Sequence, residues 1–153
     1  MSYVIKGLRE KDVDKILKFE RMGLRMDGLG ELEAQMEEWK SRWREEALYH
    51  YLPQGWSFGS FDEVTGELEA YFIGKVIPFF RSYTQVLWVE RIHSDNPQMK
   101  MELIEVAYRY AREKHLQQVM FEGNEYRNLE VAGKCAQAAG GEFYIIKTTK
   151  NED

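Results

Sequence analysis

The stretch RIHSDNPQMKMELIE, residues 91–105, joins a strand-like run to an amphipathic run and could hold a phosphate. Asn96 suits the N-cap of a helix, and Pro97 suits the first helical position, where no N–H is needed. A helix N-terminus binds anions because it offers unpaired N–H groups and the positive end of the helix dipole. Phosphate-holding turns usually carry glycine, whereas this turn has Asp95 and Gln98. Two alternatives follow: the glycine-free turn still holds a phosphate, or it has lost that ability.

Several side chains near this turn are of types that exchange protons. Glu90 and His93 stand in the strand-like run TQVLWVERIH, and imidazole titrates near neutral pH. Glu122, in the later run QQVMFEGNEYR, is a third candidate for acid–base chemistry. Each also has an ordinary interpretation, as a glutamate at a strand edge or as a surface histidine. The chain's histidines lack metal-ligand spacing, so we expect no metal site.

The first half of the chain predicts one strand and two helices. SYVIKGL is typical of a short strand, and Asp12 can cap a first helix. A longer helix is expected over residues 29–52, ended by Pro53 and Gly55. Its glutamates and arginine allow ion pairs at four-residue spacing, Glu38–Arg42 and Arg42–Glu46. Its apolar residues recur every three or four positions, which indicates core packing: Leu29, Leu32, Met36, Trp39, Trp43 and Ala47.

The second half predicts mostly strands. Two strands meet at the turn DEVTG, where Gly66 can take a positive φ, and TQVLWVERIH forms a third. A helix begins at Pro97, and a strand around QQVMFEGNEYR follows. Asn128 is expected to cap a last helix, rich in small residues, that ends at Gly140–Gly141 before a final strand, EFYIIKTT. The predicted order is β-α-α-β-β-β-α-β-α-β, an α/β (α+β) fold with a mixed, mostly antiparallel sheet of about six strands and helices on both faces.

Length and composition narrow the class of protein. The 153 residues fit a single domain, 1–153, with a short polar end at about residues 150–153. A net charge of −5 argues against broad nucleic-acid binding. One cysteine, Cys135, rules out an intramolecular disulfide and suits a reducing compartment, so we expect a cytoplasmic protein. No apolar run is long enough for a membrane span.

This order of elements resembles the GNAT superfamily of N-acetyltransferases, which move an acetyl group from acetyl-CoA to an amine. TGELEAYF is similar to the family's turn into its third strand. VLWVERIH, followed by a helix, is similar to the fourth strand and third helix that hold the cofactor. NLEVAGKCAQAAGGEFY is similar to the end region, in which an asparagine opens a helix that stops at glycine. The likeness covers nearly the whole chain.

The resemblance implies acetyl-CoA as cosubstrate and a degenerate site for its pyrophosphate. The family motif, Arg/Gln-x-x-Gly-x-Gly/Ala, aligns with Asp95, Gln98 and Lys100, so both glycines are missing and an acidic residue stands at the first position. The N–H groups of Gln98, Met99 and Lys100, with the Lys100 ammonium, would replace what the glycines supply. Asn128 is a further implied cofactor contact, at the start of the last helix.

The resemblance also places the chemistry between the fourth and fifth strands, which splay in the family to admit the pantetheine. Backbone groups of Val89 and Ile92 are the implied oxyanion and pantetheine contacts, and Glu90 stands where relatives place a base, with His93 as another candidate. In the family, a tyrosine four residues before the glycine that ends the last helix acts as the general acid. Four residues before Gly140 this chain has Ala136, so that tyrosine is missing. Tyr144 and Tyr126 are the nearest tyrosines that could substitute for it.

The acceptor is expected to be a small-molecule or peptide amine, bound by residues 29–52, by the segment that follows, and by the aromatic stretch that contains Phe80, Arg81 and Tyr83. Two alternatives to an acetyltransferase remain. One is a non-catalytic GNAT-fold module that binds a ligand or a protein, which the missing glycines and tyrosine favour. The other is a transferase that uses another acyl donor. The final apolar strand would allow a homodimer.

Overall fold

The computed structural model describes residues 2–79 and 84–149. Nine strands and four α-helices are present in these two ranges. In chain order they are β1 Tyr3–Gly7, α1 Val13–Met26, α2 Glu31–Lys40, α3 Glu45–Tyr51, β2 Phe58–Asp62, β3 Leu68–Phe79, β4 Thr84–Ser94, α4 Pro97–Glu113, β5 Gln118–Glu122, β6 Glu130–Val131, β7 Lys134–Cys135, β8 Gln137–Ala138 and β9 Phe143–Lys147. Short 3-10 helices occupy Glu10–Asp12, Leu52–Gln54 and Asn124–Tyr126.

Seven of these strands form one sheet, in the order β1-β2-β3-β4-β5-β9-β8. Among these seven strands only β4 and β5 pair in parallel, and each other pair of adjacent strands is antiparallel. The predicted mixed, mostly antiparallel sheet is therefore confirmed. The described residues give it one strand more than the expected six, because β8 pairs with β9 at the edge.

Helices cover both faces of this sheet, as predicted. The face under α4 carries one apolar core, whose fully buried members include Phe72, Leu87, Leu103, Phe121 and Ile146. The opposite face, under α1 and α3, carries a second core that includes Ile16, Leu48, Phe61, Tyr71 and Ile73. The alternation of side chains along β3 supplies both cores from one strand: Ala70 and Phe72 lie in the first core, and Tyr71 and Ile73 in the second.

The predicted helix over residues 29–52 is wrong as one element, because it is interrupted between α2 and α3. Ser41 has an extended backbone (ψ 160°) and its hydroxyl donates to the carbonyl of Glu38 at 2.7 Å. A serine hydroxyl that bonds a backbone carbonyl of the preceding turn competes with the hydrogen bonds of the helix. Arg44, also extended (ψ 152°), precedes the first residue of α3. Residues 41–44 therefore form a separate α2–α3 segment.

The predicted core role of the apolar stripe is also partly wrong. Trp43 is buried, but α2 buries none of its residues, and Leu32, Met36 and Trp39 are 52 to 80% exposed. The interruption at Ser41 separates α2 from the helix that packs on the sheet. The stripe of α2 therefore faces outward although its spacing is that of a core helix.

The predicted last helix, opened by Asn128, is wrong. Its place is taken by a hairpin of two short strands, in which Glu130–Val131 pairs with Lys134–Cys135. The connecting residues Ala132 and Gly133 have positive φ, 53° and 80°. Two successive positive φ angles suit a tight hairpin turn and cannot continue a helix. Asn128 lies exposed in a turn.

Several local predictions are confirmed. Gly66 has a φ of 75° at the β2–β3 turn, and Asn96 caps α4. EFYIIKTT contains β9, which pairs with β5. The predicted acceptor residues Phe80, Arg81 and Tyr83, and the predicted polar end at residues 150–153, lie outside the described residues.

Candidate functional site

The two parallel strands at the centre of the sheet separate soon after they meet. β4 and β5 pair at three positions, of which Trp88↔Met120 is the last, yet β4 continues to Ser94 and β5 to Glu122. Beyond that pair the strands enclose a gap, which we call the wedge. The side chains of Val89 and Ile92 on β4 pack into the α4-side core at this level. In the wedge the two strands run on without a ladder between them.

A β-bulge at Glu90 shapes the wall of the wedge. Ile73 is paired with Arg91 and Gly74 with Val89, so Glu90 is the extra residue of β4. A Cβ on Gly74 would lie 3.0 Å from the carbonyl oxygen of Trp88 and 3.1 Å from that of Trp56, so the strand opposite the bulge requires glycine. Bulges re-aim side chains and free a backbone group from the ladder.

Glu90 faces the α1–α3 side of the sheet, where three groups hold it. The indole N–H of Trp88 donates to its Oε2. Arg42 donates from one guanidinium nitrogen to the Glu90 carbonyl oxygen at 3.0 Å, and its Nε lies 3.9 Å from Oε1. Burial, followed by the charge and the hydrogen bond of Glu90, raises the pKa of Tyr51 to about 12. Tyr51 therefore stays a neutral phenol beside this carboxylate.

Arg42 links Glu90 to Glu122 across the open end of the wedge. Its second terminal nitrogen donates to the Glu122 carboxylate. The predicted pairs Glu38–Arg42 and Arg42–Glu46 are wrong, because Glu38 pairs with Arg21 at 2.7 Å and Glu46 lies 3.8 Å from Arg44. The structure thus brings together two of the three predicted acid–base candidates, and it adds Arg42, whose predicted partners lie four residues away on the same expected helix.

The N-terminus of α4 satisfies its own first N–H groups. The Asn96 carboxamide oxygen accepts from the N–H of Gln98 at 2.9 Å and from that of Met99 at 3.3 Å. The N–H of Lys100 donates to the Asn96 carbonyl oxygen at 3.0 Å. The Lys100 ammonium lies 2.6 Å from Glu125 and over the ring of Tyr126. The amides and the ammonium predicted to bind pyrophosphate therefore have partners within the chain.

Coenzyme A, the group that the resemblance implies, fits this site in part. The wedge suits the extended pantetheine arm. The α4 N-terminus suits the pyrophosphate only if the Asn96 carboxamide turns away from its two N–H groups, because an asparagine cap and a phosphate need the same donors.

His93 belongs to a different cluster, on the α1 side of β4. The cluster centres on Glu20 of α1, a carboxylate that is 3% exposed. His93 Nδ1 lies 2.8 Å from its Oε1, and Arg91 Nε lies 2.7 Å from its Oε2. The hydroxyl of Tyr71 donates to the same carboxylate. Burial alone would raise the pKa of Glu20, but these hydrogen bonds, with the charge of Arg91, lower it below its usual value.

The two candidate acid tyrosines pack on the α4 side of the sheet. The hydroxyl of Tyr144 donates to Asn124 at 3.2 Å and accepts from Arg127 Nε at 3.5 Å. Tyr126 stacks on Phe121, and burial, then the charge of Glu125, raises its pKa. The hydrogen bonds of Tyr144 therefore join it to the segment after β5.

The described ranges, 2–79 and 84–149, hold no group of three or more His, Cys, Asp or Glu side chains able to bind a metal ion. Among the helices of the same ranges, none has the length and apolar content that crossing a bilayer requires.

No family model matches the chain, and no curated protein sequence matches it. Several solved structures, however, are similar to this chain. The PaiA N-acetyltransferase of Thermoplasma acidophilum, in complex with coenzyme A, has a TM-score of 0.64 at 14% identity, covering 96% of this chain and 98% of its own. A probable acetyltransferase from Staphylococcus epidermidis has a TM-score of 0.62 at 18% identity, covering 97% and 100%.

A third similar structure is that of the NatC complex bound to Gag peptide and CoA, with a TM-score of 0.59 at 13% identity, covering 96% of each chain. In each case the similarity extends over nearly the whole length of both chains. At such low identities they show the fold: this chain has the GNAT fold, and its structural neighbours are acetyltransferases.

Proposed function

We propose that this protein is an N-acyltransferase that transfers an acyl group, acetyl in the simplest case, from a CoA thioester to an amine. The observation that carries the proposal is the wedge, in which the β4–β5 ladder ends at Trp88 and Met120 while both strands run on. Two structural neighbours were solved with CoA, which supports a pantetheine-bearing donor.

In this proposal the chain's own residues position the reacting groups. The pantetheine arm would lie along β4 at Val89–Ile92 and present its thioester to the α1–α3 side of the sheet. The donor would supply the acyl group as a thioester, whose carbonyl oxygen needs a hydrogen-bond donor as it becomes negative. Backbone N–H groups of Val89 and Ile92 are the proposed donors at this end of the wedge.

Glu90 is the proposed base that takes the proton from the acceptor ammonium. The bulge directs it to the open end of the wedge, and Trp88 and Tyr51 hold its carboxylate. A base must lie within hydrogen-bond reach of the proton that it removes, directly or through one water. His93 is less well placed for this role, because its Nδ1 is held by Glu20 on α1. Tyr144 would serve as acid for the thiolate only if it left Asn124.

The first experiment is calorimetric titration with acetyl-CoA and with CoA at low and high salt, followed by an amine panel in an acetyl-transfer assay. Micromolar binding that salt weakens, together with turnover, would support the proposal. Glu90→Gln should then lower kcat by about a hundredfold or more without loss of CoA binding. Glu105→Gln, which removes an exposed carboxylate on α4 that pairs with Arg109, is the matched control and should leave both unchanged.

A second candidate is a GNAT-fold binding module without catalysis. It is favoured by the Asn96 carboxamide, which occupies the N–H groups of Gln98 and Met99, and by the Lys100–Glu125 pair. No binding of acetyl-CoA or CoA up to millimolar concentration would make this second candidate the better one and would contradict the first.

A further inference from the structure

Helix α2 presents an apolar stripe to solvent. Leu32, Met36 and Trp39 recur at steps of four and three, and each is more than half exposed. Because successive helical residues are rotated by about 100°, these three side chains fall within one sector of about 60°. Ala34 and Glu38, which are half-buried on the opposite side of the helix, lie against α1. The stripe therefore points away from α1.

The apolar surface continues from α2 onto α3. Trp39 and Tyr49 line one shallow depression, and the side chain of Tyr49 is 46% exposed. We call Leu32, Met36, Trp39 and Tyr49 the α2 patch. Since a large aromatic side chain presents about 150–250 Å² and a Leu or Met side chain somewhat less, the four together expose about 500 Å². A standard interface buries about 800 Å² on each partner, of which about 60% is nonpolar, so the α2 patch offers the apolar area of one such interface.

Two opposite charges flank the stripe on the same side of α2. Glu33 lies in the first turn of the helix and Lys40 in the last. They are seven positions apart, which is about two helical turns, so their side chains leave the helix in nearly the same direction. Lys40 lies 3.7 Å from Glu37, in an exposed pair of the kind that contributes little and exchanges easily. One edge of the stripe is thus acidic at its start and basic at its end.

This charge pattern is complementary to itself in one alignment. When a second α2 runs antiparallel with Met36 opposite its own copy, Glu33 comes level with Lys40 of the partner subunit at both ends. The same alignment places Leu32 against Trp39 of the partner subunit. A parallel alignment would set Glu33 against Glu33 and Lys40 against Lys40, and like charges repel. The apolar and charged residues of α2 therefore favour the same antiparallel contact.

The final strand offers less surface for a second copy than α2 does. β9 has β5 on one side and β8 on the other. β8, which forms the edge of the sheet beyond β9, is only two residues long. Very short edge strands are a common means of preventing edge-to-edge pairing.

We infer that this protein self-associates through the α2 patch, as a two-fold symmetric dimer whose two α2 helices pack antiparallel. Met36 lies at the two-fold axis, and an ion pair between Glu33 and Lys40 of the partner subunit closes each end. Because such an interface is isologous, each contact occurs twice, and each substitution acts twice. The inference does not depend on the proposed acyltransferase function.

Sedimentation velocity from about one micromolar to about one millimolar protein tests the inference. The wild type should change from one chain toward two, with a Kd in the micromolar range. Met36→Lys sets two ammonium groups against each other at the axis and should raise that Kd at least tenfold. Val64→Lys is the matched control, because it adds the same charge at a side chain that is 90% exposed in the β2–β3 turn, and it should leave the Kd unchanged.

Charge exchange tests the antiparallel alignment. Glu33→Lys alone and Lys40→Glu alone each place like charges at both ends of the contact, so each should raise the Kd about tenfold. The double variant Glu33→Lys/Lys40→Glu restores opposite charges and should return the Kd to within about threefold of the wild type. Damage to α2 itself would not be reversed by the second substitution. Circular dichroism and thermal unfolding of each variant check that the fold is intact.

Three results would overturn the inference. A wild type that remains monomeric up to about one millimolar would leave the α2 patch to a different protein partner. Association that Met36→Lys does not weaken would use another surface, such as the sheet edge at β1 or β8. A double variant that associates no better than the single variants would contradict the antiparallel dimer. These measurements contain neither CoA nor amine, so their outcome is independent of the proposed function.

Discussion

His93 Nδ1 lies 2.8 Å from Oε1 of Glu20, so a buried carboxylate of α1 holds a histidine of β4. The same carboxylate accepts from Arg91 and Tyr71, which joins α1 to β3 and β4 through one polar cluster. Glu90 lies on the same strand but is held by Trp88 and Arg42 instead. The two acid–base candidates of β4 therefore have separate surroundings, which allows their roles to be tested separately.

Glu20→Gln should destabilise the fold. The charge that neutralises Arg91 is lost while its guanidinium remains about two-thirds buried. Chemical denaturation at pH 7 should show a loss of about 2 kcal/mol in the free energy of unfolding, less than for a fully buried pair because Arg91 is partly exposed. Glu67→Gln, which breaks the exposed pair with Lys18, is the control and should change it by less than about 0.5 kcal/mol.

The same glutamate predicts part of the acid sensitivity. Its pKa in the folded protein is lowered from the ordinary value of 4.5, so folding favours the ionised form. That contribution is fully present above about pH 4.5 and is lost as the pH falls through the lowered folded value. The free energy of unfolding should therefore fall more steeply with acid in the wild type than in Glu20→Gln. Parallel pH profiles for the two proteins would contradict this explanation.

Asn96 should control whether the α4 N-terminus binds a phosphate. Asn96→Gly keeps a tolerable cap and frees the N–H groups of Gln98 and Met99, so CoA should bind about three- to tenfold more tightly. Asn96→Asp keeps the cap but adds a negative charge, so CoA should bind more weakly. Calorimetry at low salt measures both. Identical affinities in all three proteins would place the pyrophosphate away from this turn.

Gly74→Ala should disturb the bulge that directs Glu90. The added methyl group would lie 3.0–3.1 Å from two backbone oxygens and from Leu87, which forces β3 and β4 apart. We expect thermal or chemical denaturation to show a loss of about 1–3 kcal/mol, as for other overpacked sites. Gly7→Ala is the matched control, because the nearest atom to its added methyl is 4.0 Å away. Equal losses of unfolding free energy in Gly74→Ala and Gly7→Ala would contradict a requirement for glycine at position 74.

Tyr51 should ionise late in an alkaline titration. Burial first, and then the neighbouring Glu90, raise its pKa from 10.0 to about 12, so folding favours the neutral phenol. The resulting stability is present below pH 10 and is lost as the pH rises from 10 to 12. Ultraviolet difference spectra of the wild type and Tyr51→Phe should isolate this step. Glu90→Gln should lower the pKa of Tyr51 only in part, because burial remains. An unchanged pKa in that variant would show that Glu90 does not act on Tyr51.

Local chemistry explains which elements could be predicted from the sequence. The cap at Asn96 and the turn at Gly66 depend on residues within a few positions, and both are confirmed. The final strand follows from its own apolar run. The proposed site was harder to predict from the sequence. Glu90 and Glu122 could be identified as candidates, but nothing local showed that their side chains come together.

The incorrect predictions lie where local signals compete. Residues 128–139 are rich in small residues that suit a helix, but Ala132 and Gly133 turn the chain back, and β8 joins the sheet beside β9. Residues 29–52 have helical spacing throughout, yet Ser41 bonds its own turn and ends α2. Helix propensity differs by less than about 1 kcal/mol per residue among ordinary residues, so tertiary pairing decides such cases.

The sequence by itself determined the order and type of most elements, because hydrophobic period and turn chemistry act over a few residues. Only the tertiary structure decided that Arg42 leaves its neighbours for Glu90 and Glu122, 48 and 80 residues away. It also decided that Glu20 would be buried among Tyr71, Arg91 and His93. Such contacts depend on which strands pair and on where two of them separate, and no local pattern encodes that geometry.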